Sequence, residues 1–145
     1  MQAQPRMCAP SLPPYPVSVF IEDTDAQAVV YYANYVRFFE RAAYEWLGTS
    51  ACGDLMRSKG LLLGIEALDG LKYAEPALLG DVCEVKGEFT GMSGGVLTLR
   101  AALVRRSDSK ELFSCARLEL AFRDASGAVA TAWPLPQPLE LPEVR

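Results

Sequence analysis

A chain of 145 residues that is 50% hydrophobic holds enough material for one domain with a full core, which excludes a peptide or an extended tail. Its formal charge of −4 excludes nucleic acid as the main partner, because phosphate neutralisation needs clustered Lys and Arg. Histidine is absent and the four cysteines (Cys8, Cys52, Cys83, Cys115) lack CxxC spacing, so no metal or redox cofactor is implied, and the thiols read as free, mostly buried and in a reducing, cytoplasmic compartment.

Residues 1–14 carry Pro5, Pro10, Pro13 and Pro14 without the continuous apolar core of a secretory signal, and read as a flexible leader. No run of about 18 apolar residues is present to span a membrane. Val17, Val19 and Ile21 alternate with Ser18 and Phe20, which predicts a first strand. An acidic stretch with Glu22, Asp23 and Asp25 follows, then the aromatic pair Tyr31-Tyr32. From Asn34 to Leu47 the pattern is helical. Val36, Phe39, Ala43 and Trp46 or Leu47 form the apolar stripe, and Arg37, Arg41 and Glu45 lie opposite. Asn34 suits the N-cap and Gly48 the C′ position, and a shorter helix is expected over 51–58.

The remainder reads as strands. Asp69-Gly70, within 61–73, taken alone marks either a hairpin turn or a bulge in one long strand. Cys83, Val85 and Phe89 alternate with Glu84, Lys86 and Glu88, a glycine-rich turn fills 91–95, and a β-rich run covers 96–106. In 111–123, Leu112, Ser114, Ala116, Leu118, Leu120 and Phe122 share one mostly apolar face. A turn at 124–127 precedes a last strand over 128–133, and Pro134, Pro136, Pro138 and Pro142 end regular structure. One long helix packed on a meander of four or five strands makes an α+β domain. A second protomer is a natural cover for the exposed sheet face.

The acidic stretch carries the chemistry. Order along the chain sets a carboxylate beside a helix N-terminus, where backbone N–H groups lack intrahelical partners. Such a pair supports reactions at a carbonyl: the carboxylate attacks or activates, and the N–H groups hold the oxyanion. On composition alone, the competing role for Asp25 is to accept backbone hydrogen bonds and shape its turn. Glu22 and Asp23 read as loop and solvent residues. The EF-hand pattern, with its Gly and terminal Glu, is missing, so the three carboxylates do not read as a metal site.

The residues Asp23-Thr24-Asp25-Ala26, Val29-Val30-Tyr31-Tyr32-Ala33-Asn34-Tyr35 and Phe38-Phe39-Glu40-Arg41-Ala42 resemble the hotdog-fold acyl-CoA thioesterases. Within them the 4-hydroxybenzoyl-CoA thioesterase and YbgC-like branch is the nearest. Tyr73-Ala74-Glu75-Pro76-Ala77 with Gly80-Asp81 resembles a second signature of that family, and the likeness covers about 15–138. The resemblance implies a single hotdog domain over 15–138 with a tail at 139–145, in which a long helix is wrapped by a five-stranded antiparallel sheet. It also implies homodimers or homotetramers, and it favours a bend within one strand at Asp69-Gly70.

On the same resemblance Asp25 is the catalytic carboxylate, as nucleophile or general base, and Tyr32 supplies the backbone N–H that polarises the thioester carbonyl. Two departures stand out. Ala28 occupies a place where the family often has Gly, which the methyl tolerates if φ stays negative. Tyr32 replaces the His of the YbgC branch, so a His-dependent mechanism is excluded. Tyr31 is a candidate for the acyl pocket, Phe39 reads as core, and Glu40 reads as structural beside Arg37 and Arg41. Lys72 and the Gly94 turn are candidates for the phosphates of the thiol carrier, with Arg100, Arg105, Arg106 and Lys110 eligible by charge alone. The expected reaction is hydrolysis of an acyl or aroyl thioester. The alternatives are an enzyme acting on a chain bound to acyl carrier protein, and a non-catalytic module that binds acyl thioesters or serves assembly.

Overall fold

The computed structural model describes residues 12–136; Cys8, most of the expected leader and the expected tail lie outside the described residues. Five strands form one antiparallel sheet: β1 (Tyr15–Ser18), β2 (Leu62–Tyr73), β3 (Val82–Ser93), β4 (Val96–Arg105) and β5 (Lys110–Arg123). Their spatial order is β1-β3-β4-β5-β2, so only the last three strands in sequence form a simple meander. The two strands that flank the helices in sequence take the two edges. Among the described residues no helix is long and apolar enough to cross a membrane.

Helix α1 (Asn34–Leu47) lies against the sheet through Tyr35, Phe38, Phe39, Ala42 and Ala43. Phe38 and Phe39 are almost fully buried, each stabilising the fold by roughly 1.5–3 kcal/mol. The stripe is therefore rotated from the expected one, with Val36 only half-buried at its margin. Gly48 ends α1 as expected, at φ +98, and its N–H donates to the Tyr44 carbonyl. A second helix, α2 (Thr49–Lys59), follows at once, in place of the shorter helix expected over 51–58.

The expected bend within one strand at Asp69-Gly70 is present, and two other strand expectations need correction. β2 runs through Asp69-Gly70 as one strand, with Asp69 opposite Arg117 and Leu71 opposite Cys115. Gly70 has φ +66, and a Cβ there would meet the Ala116 Cβ at 2.7 Å, so the pair makes a bend; the register shift falls earlier, between Ile65 and Ala67. In β5 the predicted even-numbered face holds only from Leu118 onward. A register shift between the Leu99–Leu118 and Ala101–Cys115 pairs puts Phe113, not Ser114, under the helix, where its ring meets those of Tyr35 and Phe39. The expected last strand over 128–133 does not form: Arg123 and Val129 make an isolated bridge, and the Ala130 N–H donates to the Phe122 carbonyl. Trp133 then packs on Phe122.

Part of the expected leader is ordered against the fold. The Leu12 N–H donates to the Gly87 carbonyl and the Trp46 indole N–H to the Pro13 carbonyl. Cys52, Cys83 and Cys115 are free and buried, as expected, and burial pushes the Cys83 thiol up to about 11.

Candidate active site

Between β1 and α1 the chain folds into a short hairpin-like loop. Thr24 bridges Val30, the Asp25 N–H donates to the Val29 carbonyl, and the Ala28 N–H donates to the Asp25 carbonyl. Asp25 sits at the base of this loop, exposed to solvent. Its Oδ1 accepts the N–H groups of Gln27 (2.8 Å) and Val29 (3.4 Å), an arrangement in which the side chain shapes its own turn. The turn-shaping role and availability for chemistry are compatible, because Oδ2 takes no hydrogen bond among the described residues.

Ala28 closes the turn at φ +62, so the condition of a negative φ under which its methyl is tolerated is not met. An L-residue in the left-handed region carries strain of about 1–2 kcal/mol. Ala28→Gly is expected to raise stability by about 0.5–1 kcal/mol, the relieved strain exceeding the added chain entropy of glycine. Denaturant midpoints of the two proteins check this, and a lower midpoint for the glycine variant would refute it.

The returning limb of the loop leads into the helix. The Val30 N–H donates to the Ala77 carbonyl and the Tyr31 N–H to the Asp23 carbonyl, after which a turn closes between the Tyr31 carbonyl and the Asn34 N–H. Tyr32 lies inside that turn. Among the described residues its N–H donates to no backbone or side-chain acceptor, and the residue is 62% exposed. Tyr31 is also exposed, its ring 4.9 Å from that of Tyr32. The neighbouring Tyr32 phenol, more than burial, raises the pKa of the Tyr31 phenol from its ordinary value.

Behind the loop, Tyr35 ties the helix to the segment after β2. Its phenol oxygen accepts the Ala77 N–H at 3.0 Å, and burial raises its pKa. Ala77 thus bonds to the helix through its N–H and to the aromatic limb through its carbonyl. Glu75, just before it, is held by Arg105 at 3.1 Å, with Lys110 nearby. This places Arg105 in a structural ion pair rather than at a free phosphate site.

Asp23 and Asn34 do not fill the roles expected of them. Asp23 is buried, and its Oδ2 accepts the Phe20 N–H at 2.9 Å. Asn34 is the first residue of α1 and makes no side-chain cap; Ala33 holds the N-cap position. The Asn34 amide is buried instead and donates from Nδ2 to the Asp23 carbonyl at 2.9 Å. Sequence reasoning missed this contact. A polar residue opening an apolar-striped helix was the available signal, and capping was the simpler reading of it. Glu22 is exposed, and Glu40 lies on the exposed side of α1.

The candidate carrier-binding residues are spread out. Lys72 is exposed on β2, paired in register with Ser114 on the face turned away from the helix. The Gly94 turn joins β3 to β4 beside the Val96–Ala121 pair, at the opposite end of the sheet from the β1 exit that leads to Asp25. One protomer therefore does not bring Gly94 to Asp25. A cavity of about 410 Å³ on the outer face of the sheet is floored by Ala102, Ser114 and Ala116 and walled by Lys86 and the Arg100–Glu88 ion pair. It belongs to neither the acidic loop nor the Gly94 turn.

No protein-family model matches the chain. Over 95 residues the chain is 34% identical to the acyl-CoA thioester hydrolase YbgC of Escherichia coli O157:H7, covering 66% of this chain and 71% of that protein. Similarity to the acyl-CoA thioesterase YbgC of Haemophilus influenzae is 35% identity over 95 residues, covering 64% and 69%. Among solved structures, a probable thioesterase from Bartonella henselae superposes with a TM-score of 0.71 at 19% identity, covering 83% of this chain and 98% of that one. Slr0204, a 1,4-dihydroxy-2-naphthoyl-CoA thioesterase from Synechocystis, gives a TM-score of 0.72 at 20% identity, covering 89% and 92%. At those identities the structures speak to the fold alone, and the fold is the hotdog.

Proposed function

The chain belongs to the YbgC-like acyl-CoA thioesterase family, and from that premise we propose that Asp25 and the Tyr32 N–H form its hydrolytic centre. The protein is a thioester hydrolase whose substrate is an acyl-CoA. One observation supports the centre above others: a carboxylate with an uncommitted oxygen and a backbone N–H without an acceptor stand on the two limbs of one loop.

Two routes suit that pair. In the first, Asp25 Oδ2 attacks the thioester carbonyl, the Tyr32 N–H stabilises the oxyanion, the C–S bond breaks to release thiolate, and water hydrolyses the mixed anhydride. In the second, Asp25 takes a proton from water, the hydroxide attacks the same carbonyl, and the proton passes to the departing thiolate. Both give the free acid and thiol without a cofactor. In this reading the exposed Tyr31 meets the acyl group, and Lys72, by its charge, meets anionic parts of the carrier. With Gly94 remote within one protomer, its contribution to a carrier site requires a second copy.

Edge strand β2 supports that second copy. Among the described residues it pairs only with β5, and its other side presents unpaired backbone along its 12 residues. Leu62, Leu71 and Tyr73 are exposed along it, at 59%, 43% and 52%. A long apolar edge left open is an aggregation hazard unless paired. A homodimer, alone or doubled into a homotetramer, is expected, and light scattering should give twice or four times 15.8 kDa. A monomer at micromolar concentration would refute it.

The testing experiment is release of free thiol from a panel of aromatic and aliphatic acyl-CoAs and acyl carrier protein thioesters, with wild type beside Asp25 variants. Turnover of acyl-CoA that collapses in the variants supports the reading. Turnover of carrier-protein thioesters alone would favour the carrier-bound alternative, and no turnover of either would favour a non-catalytic binding module.

A further inference from the structure

We propose that Asn34 is a positioning residue that sets the relative placement of Asp25 and the Tyr32 N–H; the proposal rests on the hydrolytic centre assigned above. Asn34 is 9% exposed and its side chain is not spent on the helix. Nδ2 donates across eleven positions of sequence to the Asp23 carbonyl. The orientation of the amide is itself fixed, because Oδ1 accepts from Arg37 Nη1 at 3.3 Å, one helical turn on.

The Asp23 carbonyl is the junction. It accepts the Tyr31 N–H at 3.1 Å as well as the Asn34 amide, so both donors come from the returning limb, one on each side of Tyr32. Asp23 cannot easily shift under that load, since its own buried carboxylate is anchored by the Phe20 N–H. Two residues beyond Asp23 is Asp25, and two residues before Asn34 is Tyr32. A single buried amide thus closes the ring of chain that carries both groups. Without it, the Tyr31 N–H alone holds the Asp23 carbonyl; the Asp25–Val29 bond and the Thr24–Val30 bridge still join the limbs below, but the helix entry beyond Tyr31, with Tyr32, is free to swing against the acidic limb.

Rate depends steeply on such placement, and a misplacement of about 1 Å can cost about 10²-fold. A purely structural asparagine would lower stability without this specific kinetic signature. The signature follows from what the amide does: it holds two catalytic groups in register, so its loss should fall on kcat rather than on KM.

The experiment combines Asn34→Leu, close to isosteric, with Asp25→Asn in a double-mutant cycle, read by steady-state kinetics and thermal unfolding. Asn34→Leu is expected to lower kcat about tenfold with KM within about twofold, and in the Asp25→Asn background the same change should cost less than about threefold. Arg37→Leu, at an exposed position, frees the amide to turn without touching the core and is expected to lower kcat about threefold; it carries the test if Asn34→Leu does not fold. Unchanged kcat in Asn34→Leu, or an equal loss in both backgrounds, would overturn the proposal, as would unchanged kcat in Arg37→Leu where that variant carries the test. Full activity of Asp25→Asn alone would instead overturn the assignment of Asp25, so the two failures are distinguishable.

Discussion

Asp25→Asn is expected to lose at least about 10²-fold in kcat on the best acyl-CoA of the panel, the scale of removing a positioned acid–base or nucleophilic group. The substitution isolates the chemistry because the carboxamide oxygen can still accept the Gln27 N–H that Oδ1 now takes at 2.8 Å. The loop is preserved and the nucleophilic or basic oxygen is gone. Asp25→Ala removes the turn acceptor as well, so it should match the kinetic loss and add a stability cost of about 0.5–1.5 kcal/mol. Equal stability with unequal activity between wild type and Asp25→Asn is the diagnostic pattern. Some activity should survive in both variants, because the Tyr32 N–H remains, and one oxyanion donor is typically worth about 2.7–4 kcal/mol. Heavy-oxygen water distinguishes the two routes: label found in the Asp25 carboxylate after turnover marks the covalent one. Full activity in both variants would refute the assignment of Asp25.

How much of this was legible in the sequence depends on whether a feature is local. The helix was visible because its apolar residues recur with its own period, and Gly48 ended it by a rule that needs only one residue. The chemistry proposed for Asp25 and Tyr32 rests on a long contiguous stretch. What escaped was set by partners far along the chain. Ala28 adopts a positive φ because the loop must close between Thr24 and Val30, whatever the residue prefers. Asn34 looked like a cap because its better partner, the Asp23 carbonyl, lies eleven residues away. Asp69-Gly70 alone is ambiguous, and only its pairing with β5 makes it a bend. The even-numbered stripe of β5 failed for the same reason: a register shift against β4 exchanges faces midway, and strand periodicity contains no trace of it.

That shift has a large energetic consequence at Phe113. The residue is fully buried, and its ring stacks on Tyr35 at 4.7 Å and on Phe39 at 5.4 Å and tilts against Tyr73 at 4.5 Å. Phe113→Ala is expected to cost about 3–5 kcal/mol, combining lost transfer energy with a cavity that its rigid aromatic neighbours cannot fill. That is a large share of the roughly 5–15 kcal/mol that holds an ordinary domain together. For a chain of this length it should lower the melting midpoint by about 10 °C. The position matters for activity too. Tyr35 rests on Phe113 and holds the Ala77 N–H, while the Ala77 carbonyl takes the Val30 N–H two residues from Tyr32. Loosening the ring cluster therefore loosens the limb that carries Tyr32, the proposed oxyanion donor. Phe113→Leu, which fills most of the space, should recover more than half of the stability and most of the activity. If the protein folds only as a dimer, both midpoints will rise with protein concentration, so the comparison belongs at one fixed concentration. A loss below about 1 kcal/mol for Phe113→Ala would mean that the cavity collapses freely, and that Tyr35 is held by Ala77 and the helix rather than by the ring beneath it.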